Sequence, residues 1–125
     1  MKDRFRFRVW LKDTNKMYNV HSLHIGTNKA IISSRYGNVS IYINKNSILM
    51  QSTGLKDKNS KLIYAGDRVY IDCEDETAII KWSDDLARFT IHFEDEAVFA
   101  DFDNYYSKEL EVIGNIYENS ELPKE

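Results

Sequence analysis

The chain has 125 residues and a formal net charge of −3 from 17 basic and 20 acidic side chains, a length that fits one domain able to bury roughly two-thirds of its unfolded surface without a disulfide or metal staple. No apolar stretch approaches the roughly 18 residues of a membrane-spanning helix, and the opening MKDRFRFRVW lacks the apolar run of a signal peptide, which predicts a soluble intracellular protein. The single cysteine, Cys73, cannot pair within the chain and reads as a small buried apolar residue of a strand-like stretch.

Eight Tyr, six Phe, one Pro and five dispersed Gly favour strands joined by tight turns over helices. The first predicted strand covers 5–11, with Phe5, Phe7, Val9 and Leu11 on one face and Arg4, Arg6, Arg8 and Trp10 on the other, the period of two of a half-buried strand. Further strands are predicted over 17–25, 29–33, 39–43, 48–51, 61–64, 68–73, 77–82, 88–93, 97–102 and 111–117. In the strand over 88–93, Phe89, Ile91 and Phe93 point inward while Arg88, Thr90 and His92 point outward. Turn residues join these runs: Asp13-Thr14-Asn15, Gly26-Thr27-Asn28, Gly37-Asn38, Asp57-Lys58-Asn59-Ser60 and Asp84-Asp85. One or two helical turns are expected over 103–108. Val112, Ile113, Ile116 and Tyr117 do not alternate cleanly around Gly114-Asn115, which predicts a bulged, buried strand that returns to an earlier part of the chain.

Short strands at this spacing predict an all-β barrel or sandwich. Within Ile63-Tyr64-Ala65-Gly66-Asp67-Arg68-Val69, Gly66 permits positive φ, Asp67 can bond backbone donors just beyond it and Val69 begins a buried strand. A turn of this kind feeds a barrel strand in SH3-like barrels, and Lys81-Trp82 after the acidic hairpin Glu74-Asp75-Glu76 continues one. The chain thus reads as two tightly joined subdomains, approximately 1–52 and 53–125, the second SH3-like.

Three blocks together resemble the YopX family of small proteins from phages and prophages of Gram-positive bacteria: MQSTGLKDKNSKLIYAGDRV from Met50 to Val69, EVIGNIYEN from Glu111 to Asn119, and Phe7, Val9 and Trp10 followed by Asn15, Lys16, Met17, Tyr18 and Val20. The resemblance implies intertwined barrel-like lobes and a bacterial cytoplasmic setting. It transfers no catalytic residue and no cofactor, since the family has no assigned activity. The chain departs from the family pattern at Ser60, where a glycine is common, and at Ser52, where an aromatic is usual.

Charge is unevenly spread. Residues 1–47 hold five Lys and four Arg against two Asp, a net of +7, whereas residues 48–125 hold six Lys and two Arg against 18 acids, a net of −10. One reading sets the basic part against the acidic part of the same or a neighbouring subunit. A second takes Arg4, Arg6 and Arg8, spaced by about 6.6 Å on one strand face, as a phosphate-binding row with Trp10 as a base-stacking platform for single-stranded nucleic acid. The third is an edge strand dressed in charge against aggregation. Acidic hairpin tips, with Asp72, Glu74, Asp75, Glu76, Asp84, Asp85, Glu94, Asp95, Glu96, Asp101 and Asp103, also suit a mimic of nucleic-acid charge.

Enzymatic readings find little support. His21 and His24, three apart in a strand, point to opposite faces and cannot chelate one metal together. His92 has no triad neighbour, the Glu-rich tips lack the spaced ligands of a calcium loop, and Ser33-Ser34 lacks the glycines of a nucleophile elbow. The sequence therefore predicts a non-enzymatic, cofactor-free binding or assembly module that forms a homo-oligomer, with a phage or host protein as a further partner, no membrane contact, and nucleic acid as the alternative ligand.

Overall fold

The backbone N–H and C=O groups along a strand need partners in neighbouring strands, and the chain supplies most of them through antiparallel pairing. The computed structural model describes residues 2–94, 99–102 and 107–118. Strands β1 (Phe7–Leu11), β2 (Lys16–His24), β3 (Lys29–Ser34), β4 (Gly37–Tyr42), β5 (Ser47–Lys56) and β6 (Leu62–Tyr64) form a six-stranded sheet in the order β4-β3-β2-β1-β5-β6. Strands β7 (Asp67–Ile71), β8 (Glu76–Ser83), β9 (Arg88–Phe93), β10 (Phe99–Asp101) and β11 (Leu110–Asn115) form a five-stranded sheet in the order β10-β9-β8-β7-β11. Every pairing among these strands is antiparallel. The all-β expectation is met, but among the described residues neither sheet closes into a barrel, because β4 and β6 in one and β10 and β11 in the other remain as edges. Strand β5 runs through positions 51–54, where the subdomain boundary was expected; the change of sheet comes at Ala65-Gly66. The helix expected over 103–108 falls largely outside the described residues, as do positions 97 and 98 of the expected tenth strand and the acidic side chains of Asp95, Glu96 and Asp103.

The main core lies on the five-stranded sheet, where Val69, Ile71, Ala78, Ile80, Ile91 and Leu110 are fully buried and Phe89, Phe93, Phe102 and Val112 pack around them. Ile63 joins this cluster from β6, so the last strand of the first sheet inserts its side chain into the core of the second. Burying each such branched aliphatic contributes about 1.5–3 kcal/mol, which makes β6 the piece that ties the sheets together. The six-stranded sheet buries Val9, Trp10, Ala30, Ile32 and Met50.

Three expectations are corrected. Strand β1 has no wet face, since it lies between β2 and β5 and buries Val9 on one side and Trp10 on the other; Phe5, expected inward, sits in a short 3-10 turn (Lys2–Phe5) and is 61% exposed. Strand β9 buries Thr90 as fully as Ile91, and His92 is part-buried with a ring nitrogen 3.0 Å from Thr90 Oγ1. Burial also lowers the pKa of His92 from the ordinary imidazole value. Cys73 is exposed, because β7 stops at Ile71 and leaves it in the acidic turn; its hydrogen bond to Glu109 pushes the thiol pKa up and suppresses the reactive thiolate.

The C-terminal strand is bulged as expected, with its register shifting between Val112 and Gly114, and it returns to pair with β7. Its outer side is fastened by a buried carboxylate. Asp57 Oδ1 accepts the N–H groups of Asn59 and Lys61 at 2.9 and 2.8 Å, Oδ2 accepts that of Val112 at 2.8 Å, and the neighbouring Lys58 N–H donates to Leu110 O at 2.9 Å. The same turn places Ser60 at φ +66°, a left-handed position. That conformation suits glycine, and the hydrogen bonds to Asp57 hold it in place with serine. Asp57→Ala strands three N–H groups at once and is expected to cost about 2–4 kcal/mol, read as a lowered urea midpoint; an unchanged midpoint would show that water replaces the carboxylate.

Candidate functional site

The two most informative sequence blocks meet where the chain changes sheet. Arg8, the second residue of β1, extends across the junction, and its Nη2 donates to Asp67 Oδ1 at 2.6 Å; the two side chains are only 11% and 2% exposed. The same nitrogen lies 3.5 Å from Ala65 O, and the guanidinium rests 4.5 Å from the centre of the Tyr64 ring. Asp67 Oδ2 accepts the Tyr64 N–H at 2.8 Å, so the carboxylate binds a donor before it in the chain, not beyond it as its position in the motif suggested. Burial pushes the Asp67 pKa above the ordinary carboxylate value, opposed by the attraction of Arg8 and the Tyr64 amide.

Gly66 completes the junction. Its φ is +91°, its N–H donates to Ile80 O at 2.7 Å, its carbonyl accepts the Ile116 N–H at 3.0 Å, and an added Cβ would stand 3.0 Å from Met50 Sδ. Asn115 turns the chain here by accepting the N–H groups of Tyr117 and Glu118, at 2.9 and 2.7 Å. Tyr117 then stacks on Trp10, with ring centres 5.9 Å apart. The conspicuous YAGD and GNIY segments therefore build one seam.

This arrangement dissolves the arginine row as a row. Arg8 and Trp10 are buried in the seam; Arg4 and Arg6 lie at the N-terminal 3-10 turn, Arg4 exposed, Arg6 exposed with Nε 3.5 Å from Asp3 Oδ1. Of the four candidate nucleic-acid ligands, Arg4 and Arg6 alone face solvent, with Phe5 between them. An apolar groove of about 270 Å³ opens beside the seam, lined by Phe7, Leu49, Met50, Ala65, Trp82 and Phe89. Trp82 packs edge-on against Phe89 and donates its indole N–H to Asp84 at 2.8 Å. His21 and His24 are both exposed. Among the described residues no three His, Cys, Asp or Glu side chains are placed to hold a metal.

One electrostatic signal is sharper than the charge totals. No Asp or Glu occurs between Asp13 and Asp57, so β2, β3, β4 and β5 carry no acidic side chain, while Lys16, Lys29 and Lys56 lie in these strands and Arg35 and Lys45 in the turns between them. The five-stranded sheet carries the acids; Arg8–Asp67 is the buried ion pair that crosses the junction, and Lys58 of the β5–β6 turn makes exposed pairs with Asp72 and Glu111.

Removing Arg8 leaves a buried carboxylate without its cation, so Arg8→Met is expected to cost about 3–5 kcal/mol at neutral pH. Because the folded-state pKa of Asp67 is raised, its contribution to stability is fully present below the unfolded carboxylate value and is lost as pH rises through the folded one. The deficit of Arg8→Met is therefore expected to shrink as pH falls from 7 toward about 4, in urea titrations at both pH values; an equal deficit would show that packing, not charge, is lost. Gly66→Ala, with its positive φ and the close Met50 sulfur, is expected to cost about 1–3 kcal/mol, whereas Gly26→Ala, where an added Cβ meets nothing within 4 Å, is expected to be near neutral in the same melt.

The YopX protein family model matches residues 6–124. The fold is similar to the crystal structure of protein EF1440 from Enterococcus faecalis, at 28% identity and a TM-score of 0.63 over 95% of this chain and 97% of that one. It is similar also to the crystal structure of YopX from Bacillus subtilis, at 21% identity and a TM-score of 0.57 over 97% and 99% of the two chains. No curated protein matches. With a match of this extent, holding both segments that form the Arg8–Asp67 seam, the chain belongs to the YopX family.

Proposed function

We propose that the protein is a non-enzymatic assembly module that associates with copies of itself, working in the cytoplasm of a bacterium that carries it on a phage or prophage. The observation that supports this reading is the separation of charge along the fold: a stretch from β2 to β5 whose charged residues are all basic, and an acidic five-stranded sheet, with Arg8–Asp67 as the buried ion pair between them inside one chain. The basic face of one copy and the acidic face of the next are complementary, and such potentials steer encounter and set orientation. A second reading has single-stranded nucleic acid bound by Arg4 and Arg6 with Phe5 stacked on a base. The acidic sheet repels that ligand, which places it behind self-association.

Sizing at micromolar concentration decides between association and its absence. Apparent mass is expected to exceed that of one chain at about 0.05 M salt and to fall at about 0.5 M, where screening acts over a few ångströms; a monomer at both salt concentrations refutes the proposal.

A further inference from the structure

Sheet edges are where a β protein must protect itself, because an exposed edge offers a row of amide groups to any other strand. Three of the four edges here are blunted. Strands β6 and β10 are three residues long, and β11 is bulged and covered by the Asp57–Lys58 turn. The fourth is not. Strand β4 is six residues long, pairs with β3 over six consecutive residues without a register shift, and reads Gly-Asn-Val-Ser-Ile-Tyr, with no charge and no proline. Around it Tyr36 is 82% and Tyr42 64% exposed, and Val39 is exposed as well.

We propose that this edge pairs with the same edge of a second copy, antiparallel about a two-fold axis at Val39, joining two six-stranded sheets into one. The inference rests on the self-association reading and names one of its surfaces. The occupant follows from the edges themselves: among the described residues β4 is the one long uncovered edge, so strand pairing between copies has to be β4 on β4, an isologous contact that satisfies both edges at once. Hydrogen bonding restricts the register. The two-residue turn at Arg35-Tyr36 makes Ser34 and Gly37 the closing pair of the hairpin. Gly37, Val39 and Ile41 then turn their amides toward β3, and Asn38, Ser40 and Tyr42 turn theirs outward. Outward residues must meet outward residues, which leaves a two-fold at Val39 or at Ser40 as the central registers. A two-fold at Ser40 sets Arg35 directly opposite Lys45 of the second copy, and like charges in that position are unfavourable. A two-fold at Val39 sets Arg35 against Ile43, Val39 against Val39 and Tyr36 against Tyr42, so it covers the exposed aromatics and opposes no charges.

Ser40→Pro removes an outward N–H only, so it breaks the contact while the edge strand of the monomer tolerates the ring. In light scattering at about 0.5 M salt, where charge contacts are screened, the parent chain is expected to be a dimer and Ser40→Pro a monomer with an unchanged melting temperature. At low salt Ser40→Pro is still expected to form larger species through the contact between basic and acidic surfaces. Position 39 supplies an independent reading: in a Cys73→Ser background, Val39→Cys is expected to form an intermolecular disulfide under mild oxidation, since directly opposed Cα atoms of a non-hydrogen-bonded pair lie about 4.5 Å apart, whereas Asn38→Cys forms little. Association that survives Ser40→Pro at high salt overturns the β4 contact and leaves self-association standing. A monomer under every condition overturns both. Equal cross-linking at 38 and 39 overturns the register.

Discussion

One buried ion pair constrains how the two sheets sit together. Taking Arg8 and Asp67 out of water costs several kcal/mol per ion, and mutual attraction repays it only with good geometry and saturated partners. The junction provides much of this: a 2.6 Å contact, the Tyr64 amide on the other carboxylate oxygen and an aromatic face under the guanidinium. It does not provide all of it, because Arg8 Nε is buried without a hydrogen-bond partner. A pair like this is a weak source of net stability compared with packed aliphatics. Its effect is on geometry, since any arrangement that slides β1 past the Tyr64–Asp67 turn leaves a carboxylate and a guanidinium buried apart. Ile63 contributes the apolar part of the junction and Arg8–Asp67 fixes its register.

Much of the architecture was legible because strand periodicity is local. The alternation in 88–93 and the glycine-centred irregularity at 112–114 are properties of a few neighbouring residues, and both emerge as read: a strand and a bulge. What the local pattern cannot contain is what lies across a face. Arg8 alternates with Val9 as a wet-face residue does, and Thr90 with Ile91, yet the Arg8 side chain is only 11% exposed, packed on the Tyr64–Asp67 turn, and Thr90 is fully buried. The same limit hid Asp57 and Asp67, which as turn aspartates look alike on paper. Their partners are 55 and 59 residues away.

The conspicuous motifs thus turned out to be architectural. YAGD and GNIY are memorable because the seam needs a glycine with positive φ, a carboxylate for Arg8 and an asparagine that folds the chain back toward Trp10. The feature that supports the proposed association is the lack of any acid between Asp13 and Asp57. A run of this kind bears on association and solubility rather than fold, which is why it left no mark on the strand pattern.

Charge and edge act differently, and their combination has consequences for assembly. A basic face meeting an acidic face is heterologous, each copy using two different surfaces, and such contacts continue into a ring or a filament. An edge that pairs with itself is isologous and stops at two. A chain with both can close only into a structure with dihedral symmetry, where the two-folds lie at the edges and the rotation lies along the charge contacts. In the proposed assembly the seam would bear directly on this, because the angle between the basic and acidic sheets within one copy would set the angle between successive copies. Arg8–Asp67 helps to hold that angle, which would join the internal ion pair and the symmetry of such an assembly in one geometric problem.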